Sequence, residues 1–286
     1  SFRGLSKHFV IDKDAAKNSG LTGNLIDISS GDIGWEAVLP IVSNNAANPN
    51  TRAKVGNTIT ITLNFTEMIP EPDIALQLGS TSIDDSRKTY TAANNQHTDP
   101  DFSSLIFADR WIVSFTTLST DDEGFLEWQL TAEDVPGNQI VVPAASRYTS
   151  GLRFDKTDPS LTTQVSSADN AVAPAFLINS SSNVTLDFDF NEPVLGPSSG
   201  VNPLGVQYSV GSNAGPWTTV TGISPRGGDT TNQQWTVTFS SVPGDGDIYI
   251  LTTFADFANN ATTDTRATSV LITVDNTTPV INVVDI

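Results

Sequence analysis

The sequence predicts an all-β protein made of two tandem antiparallel β-sandwiches, with an extra segment at the N-terminus. Three observations predict this fold class. Short apolar runs alternate with polar residues, turns rich in Gly, Pro, Asn and Asp separate the runs, and the whole pattern occurs twice. A period of two places one face of a strand in a core and the other in water. No stretch shows a clear 3.6-residue period, so helices are expected to be single turns at most.

A short segment that occurs twice is the clearest marker of the repeat. It reads Asp-Lys-Thr-Asp-Pro at 155–159 and Asp-Asn-Thr-Thr-Pro at 275–279, near the end of the chain. Both copies follow an apolar run and end in a proline, which cannot donate a hydrogen bond to a strand ladder. We interpret them as the same joint, used once after each of two similar units.

The features around these joints repeat in the same order. The alternating run 59–65 returns as 184–190, and the segment 132–138 returns as 254–260. A conserved order of features with small differences in loop length is not readily produced by chance. The register of the runs predicts two sets of inward-facing core residues: Ile59, Ile61, Leu63, Phe65, Trp111, Val113 and Trp128 in the first unit, and Val184, Leu186, Phe188, Phe190, Trp235, Val237 and Ile250 in the second.

The repeat divides the chain into four parts. Residues 1–34 are expected to form an N-terminal segment, 35–157 the first sandwich, 158–279 the second sandwich, and 280–286 a terminal strand. The terminal strand is apolar, so it either opens a further unit or completes a neighbouring subunit by strand addition. The N-terminal segment is a leftover strand or the other half of such a contact.

Alternating runs bounded by turn residues predict the individual strands. In the first unit they lie at 38–42, 58–65, 74–78, 111–116, 125–132 and 150–154. In the second unit they lie at 161–166, 183–190, 204–210, 217–221, 234–240, 247–254 and 269–274. The polar stretch 80–104 is predicted to be a long loop with at most one strand, near 88–91.

The charge of the chain limits its partners. Asp and Glu number 32 against 14 Lys and Arg, which gives a formal net charge of −18. This argues against a nucleic-acid partner, whose phosphates need basic contacts, and it suits divalent cations. No run approaches the roughly 20 apolar residues of a membrane span, so membrane insertion is not expected. The chain has no cysteine, and its polar surface of Thr, Ser and Asn is typical of extracellular β-proteins.

The sequence does not indicate a catalytic site. The two histidines, His8 and His97, have no serine elbow motif nearby. Asp122 and Glu123 are adjacent in a hairpin turn, whereas glycoside hydrolysis needs two carboxylates that face each other across a cleft. We therefore predict that the chain is not an enzyme.

Several motifs resemble the tandem bacterial Ig-like domains of large surface adhesins and other extracellular repeat proteins. The resemblance covers about 35–279, and its motifs are Val55-Gly56-Asn57-Thr58, Phe190-Asn191-Glu192-Pro193, the segment 132–138 and the two joints. It implies two Ig-like sandwiches and an extracellular or cell-surface location. The second unit departs from the family at Asn259-Asn260, where Gly-Asn is usual.

Calcium is the cofactor that the acidic loops suggest, because Ca²⁺ takes six to eight oxygen ligands from carboxylates, Asn side chains and carbonyls. The resemblance implies such an ion between consecutive domains. The alternative is that these residues are turn formers, which hydrogen-bond their own backbone. The residues predicted as ligands are Asp134, Asn138, Glu67, Asp155 and Asp158 in the first unit, and Asp256, Asn260, Asp275 and Glu192 in the second.

Two functions stay open from the sequence. The first is an extracellular structural protein, an Ig-like building block of a cell-surface adhesin, surface layer or filament. Its partners would be neighbouring copies or adjacent Ig-like domains, joined end to end or by strand addition. The second is a carbohydrate-binding or accessory module of a secreted protein. Its binding residues would lie in the stretch 80–104, at Asp84, Arg87, Tyr90, Asp99 and Asp101, with Trp217 as an exposed aromatic.

Overall fold

A computed structural model of the chain describes residues 41–93, 97–98, 106–133, 139–142, 147–168, 176–267 and 272–280. These residues are mostly β-strand, with two single-turn 3-10 helices among them, which confirms the all-β class. They form two compact units, of which the first ends at Asp155 and the second contains Ala46–Asn48 and the chain from Lys156 onward. Among the described residues, no helix is long and apolar enough to cross a membrane. The predicted N-terminal segment and residues 281–286 lie outside the described residues.

The first unit consists of short and long strands in two sheets. Its strands are β1 (Ile41–Ser43), β2 (Arg52–Ala53), β3 (Thr58–Ile69), β4 (Asp73–Leu78), β5 (Thr81–Ile83), β6 (Thr89–Ala93), β7 (His97–Thr98), β8 (Ile106–Thr116), β9 (Gly124–Glu133), β10 (Gln139–Val142) and β11 (Tyr148–Phe154). One sheet has the order β1-β3-β8-β6, with β7 also paired to β8. The other has the order β2-β11-β9-β4-β5, with β10 also paired to β9.

The second unit repeats this arrangement. Its strands are β12 (Leu161–Ala168), β13 (Phe176–Ile178), β14 (Asn183–Phe190), β15 (Gly205–Val210), β16 (Thr218–Thr219), β17 (Gly222–Pro225), β18 (Gln234–Ser240), β19 (Gly246–Ala255), β20 (Ala261–Ala267) and β21 (Ile272–Val274). Its sheets have the orders β12-β14-β18-β17 and β13-β21-β19-β15-β16, with β20 also paired to β19. The strand pairs are antiparallel except for β2 with β11 and β13 with β21.

This strand order is that of an Ig-like sandwich. In each unit the first strand, β1 or β12, belongs to one sheet. The next strand, β2 or β13, pairs in parallel with the last strand of the other sheet, β11 or β21. Side chains from the inner faces of both sheets meet in one apolar core per unit, as expected for two packed sheets. Two tandem Ig-like antiparallel β-sandwiches are therefore what the described residues form.

The predicted core register is confirmed in both units. Every residue predicted to face inward from 59–65 and 184–190 is buried, and so are Trp111 and Trp235. The two tryptophans occupy matching strands, β8 and β18, and each indole N–H donates to a backbone carbonyl, which satisfies the one polar atom of the ring. A slip of one residue would have turned these side chains to water.

Two close pairs of glycines repeat at the same place in the two units. Gly124 has φ +150°, and a Cβ built on it would lie 2.7 Å from the Cα of Gly79. Gly246 has φ +123°, and its Cβ would lie 3.1 Å from the Cα of Gly211. In both units the glycine that begins the long strand of the second sheet thus allows two backbones to approach closely.

Replacing Gly124 by alanine is expected to destabilise the first unit by more than about 1 kcal/mol, because the positive φ and the close backbone both oppose a side chain. The matched control is Gly151→Ala, where a Cβ meets nothing within 4 Å. Urea unfolding of the two variants checks this prediction. Equal stability of the two variants would contradict it.

The stretch 80–104 differs from its prediction as a loop with at most one strand. Its described part contains β5, β6 and β7, separated by the 3-10 turn Asp85–Arg87. β6 is the strand predicted near 88–91, whereas the short strands β5 and β7 were not predicted. β20 was also missed, since Thr and Asp fill its sequence and give no apolar alternation. The predicted strand 217–221 is reduced to the two-residue β16, and β17 follows it in the opposite sheet.

Candidate metal centre

Glu192 is held at the end of the second unit where the chain enters it. Just before Glu192, the amide of Asn191 donates to the carbonyl of Ser160 at 3.2 Å, and its side-chain oxygen accepts from the amide of Ser160 at 2.7 Å. Just after it, Val194 forms an isolated antiparallel bridge with Asp256. Anchors on both sides therefore fix the position of Glu192 next to the loop that follows β19.

Asp256 begins that loop and is 2% exposed. Its Oδ1 accepts the backbone N–H of Asn260 at 2.8 Å, and its Oδ2 accepts from Nδ2 of Asn260 at 2.7 Å. The amide of Asp256 in turn donates to the carbonyl of Asn260 at 3.1 Å. Asn259 has φ 65°, a left-handed conformation that Asn adopts more easily than most residues.

The two acids lie close together. Carboxylate oxygens of Glu192 and Asp256 are within 4.8 Å of each other, and the Oε1 atom of Glu192 is buried. Two ionised carboxylates at this distance and depth repel each other unless a cation or a proton neutralises them. A carboxylate has about four acceptor positions, so the two hydrogen bonds from Asn260 leave lone pairs on Asp256 that can bind an ion.

The joint before this unit runs past the same loop. The carbonyl oxygen of Thr157 accepts a hydrogen bond from Nδ2 of Asn260 at 3.2 Å. Asp155, the last residue of the first unit, is buried, and its amide donates to the carbonyl of Ala53 at 2.9 Å. Asp158 is exposed.

Asp275 does not belong with Glu192, Asp256 and Asn260, although it was predicted as a ligand with them. Val274 pairs with Gly246, at the start of β19, whereas Asp256 follows the end of that strand. The 10 residues of β19 span roughly 33 Å, so the two acids lie at opposite ends of the unit. Asp275 instead accepts the amide of Thr277 at 2.9 Å, which is the role of a turn former.

The set predicted for the first unit is only partly described. Asp134, Asn138 and the side chain of Glu67 lie outside the described residues. Phe154 pairs with Gly124 at the start of β9, so Asp155 lies at the end of the unit opposite to the loop that follows β9. The structure therefore separates Asp155 from that loop, with which it was grouped.

The polar stretch 80–104 contains a structural ion pair. Arg87 donates two hydrogen bonds to Asp121, at 2.7 Å each, and these bonds raise the pKa of its guanidinium. Burial raises the pKa of Tyr90, which lies beside Lys88. Asp84 accepts the amide of Arg87 through its carbonyl, and Asp99 and Asp101 lie outside the described residues. Nothing in the sequence distinguished Asp121 from the turn residues that follow it.

No protein-family description matches the chain, and no curated protein matches it in sequence. Solved structures match the chain only at low similarity. The tetra-tandem repeat in the extending region of a large adhesion protein is 16% identical, covers 82% of this chain and 48% of its own, and has a TM-score of 0.30. Rst D1-D2 is 10% identical over 85% of this chain and 99% of its own, with a TM-score of 0.36.

Dimeric latent PorU from Porphyromonas gingivalis is 13% identical over 84% of this chain, with a TM-score of 0.29. The chain spans about a quarter of PorU and about half of the adhesion protein repeat. With these TM-scores below 0.5, the Ig-like assignment rests on the strand order of the two units themselves.

Proposed function

We propose that the chain is an extracellular structural protein, an Ig-like building block of a cell-surface adhesin, surface layer or filament, and that it acts without catalysis. The observation that carries this proposal is the occurrence of one Ig-like strand order in two successive units. Sandwiches repeated in tandem can serve as spacers in an extended protein, because each unit folds around its own core and further units can be added. The partners are neighbouring copies or adjacent Ig-like domains, joined end to end or by strand addition.

The acidic group at the start of the second unit is the proposed calcium site. Glu192 and Asp256 supply carboxylates that already lie within 4.8 Å of each other. The carbonyl oxygen of Thr157 is held beside the same loop by Asn260. Carboxylates and carbonyls are the hard oxygen ligands that Ca²⁺ prefers.

Calcium is expected to raise the thermal stability of the full chain, because an ion that binds only the folded state stabilises it by about 2.7 kcal/mol at 100 times its Kd. Isothermal titration calorimetry and thermal unfolding of the chelator-treated protein, with and without Ca²⁺, measure this. Glu192→Gln keeps the shape of the side chain and removes its charge, so it is expected to weaken binding.

Asp275→Asn is the matched control, because Asp275 occupies the equivalent joint and lies far from Glu192 within the second unit. It is expected to bind calcium like the unmodified chain. Absence of any heat or stabilisation with Ca²⁺ would overturn the calcium site. Equal losses in Glu192→Gln and Asp275→Asn would also overturn it.

A further inference from the structure

The outer face of one sheet in the first unit carries a row of three side chains that the core does not use. Arg153 on β11 is the register partner of Arg52 on β2 and of Phe125 on β9. Neighbours of all three along their strands, such as Ala53 and Leu126, point into the core, so the row points away from it. We call these residues, Phe125, Arg153 and Arg52, the arginine row.

Folding alone does not explain the arginine row. Like charges directly opposite each other on neighbouring strands are destabilising. Acids outnumber bases 32 to 14 in this chain, yet the ion pairs found in its described part involve Arg87, Lys88 and Arg226 and neither arginine of the row. Phe125 is a large apolar side chain, yet it is 49% exposed. The residues of β9 that face the core are Leu126 and every second residue after it.

The shape of the row indicates what it can bind. Neighbouring strands lie about 4.8 Å apart, so the row is a nearly straight track about 10 Å long that crosses three strands. Guanidinium groups bind carboxylates through two parallel hydrogen bonds, and an exposed aromatic ring offers a flat apolar surface. Gly151, between the two ends of β11, leaves open space beside the track, since a Cβ there would meet nothing within 4 Å.

We propose that the arginine row binds an acidic polysaccharide, a chain of sugar rings that carry carboxylates. One ring packs its C–H face on Phe125, and the carboxylates of the next rings pair with Arg153 and Arg52. An acidic peptide fits less well, because an extended peptide binds along the edge of a sheet and the row lies on its face.

An acidic side chain near the arginine row and the net charge of the chain both oppose the binding of an anion. Glu127 lies two residues after Phe125 on the same face, and its carboxylate accepts a hydrogen bond from Thr149 at 3.4 Å. The net charge of −18 also repels polyanions at long range. At physiological ionic strength this repulsion is screened beyond about 8 Å, so the local arginines decide binding. The proposal does not depend on calcium or on assembly of the chain.

The test measures binding of alginate oligosaccharides to the full chain by calorimetry, in chelator so that calcium plays no part. Neutral dextran oligosaccharides and polyglutamate of similar length are the comparison ligands. Alginate is expected to bind, and dextran and polyglutamate to bind at least about tenfold more weakly. Higher salt is expected to weaken alginate binding, because ion pairs between exposed groups are screened.

Arg153→Gln and Phe125→Ser are each expected to weaken alginate binding about tenfold, since a hydrogen-bonded charge and an apolar contact are lost. Arg110→Gln is the matched control, because Arg110 is exposed on β8 of the other sheet and contacts Asn64. Unchanged melting temperatures exclude unfolding as the cause. Polyglutamate binding as tight as alginate binding, no alginate binding, or equal effects in all three variants would overturn the proposal.

Discussion

Replacing Phe188 by alanine is expected to lower the free energy of unfolding of the second unit by about 3–5 kcal/mol. Phe188 is fully buried, and its ring meets Phe190 edge-on with centroids 6.4 Å apart. Phe190 in turn packs edge-on against Phe254 at 4.9 Å, so the deletion leaves a cavity beside a chain of aromatic contacts. Denaturant unfolding of the full chain, followed by tryptophan fluorescence, measures the loss.

Ser240→Ala is the control for the Phe188 variant. Ser240 lies exposed at the end of β18 in the same sheet, where substitutions usually change stability by less than about 0.5 kcal/mol. A loss below about 1 kcal/mol for Phe188→Ala would mean that this side chain is not in the core. The register of β14 would then be wrong.

Replacing Asp121 by alanine is expected to cost about 3–5 kcal/mol in the first unit, because it leaves a partly buried guanidinium without its carboxylate. Asp121 is 0% exposed, binds Arg87 through both oxygens and also accepts the amide of Leu118 at 2.8 Å. Thermal and urea unfolding of the variant check the prediction.

The matched control for Asp121 lies in the turn that contains Arg87. Asp84 is exposed, and its backbone carbonyl, which the substitution keeps, accepts the amide of Arg87 at 3.0 Å. Substitutions of such exposed residues usually change stability by less than about 0.5 kcal/mol, so Asp84→Ala is expected to have a small effect. Similar losses for the two variants would contradict the structural role assigned to Asp121.

The alternation of apolar and polar residues was sufficient to predict the two cores. Runs such as 59–65 and 184–190 have an apolar residue at every second position, and only one register buries all of them. The edge strands β5 and β20 were missed because they bury little. β5 has one buried residue and β20 consists mainly of Thr, Ala and Asp, so their pairing is set by the backbone of the neighbouring strand and leaves no apolar period in the sequence.

The repeat grouped three residues that lie together in the second unit with one that does not. It identified Glu192, Asp256 and Asn260, which do lie together in the second unit. It also grouped Asp275 with them, because equivalent positions in a repeat say nothing about which end of a strand a residue follows. The antiparallel pairing of β21 with the start of β19 puts Asp275 at the opposite end.

The arginine row could not be predicted from the sequence. Arg52 and Arg153 are neighbours because β2 pairs in parallel with β11, a contact between distant parts of the chain. No local pattern marks the two-residue strand β2, which has one inward and one outward residue.

A crystal structure of the full chain grown with Ca²⁺ tests the central claim most directly. We predict an ion whose distances to carboxylate oxygens of Glu192 and Asp256 fall between about 2.3 and 2.6 Å. An ion at these two residues would place calcium at the start of the second unit, as proposed for an extracellular structural protein. If no ion lies between Glu192 and Asp256 at saturating calcium, and Asp256 is bound only to Asn260, the calcium site is contradicted. These acids would then be turn formers.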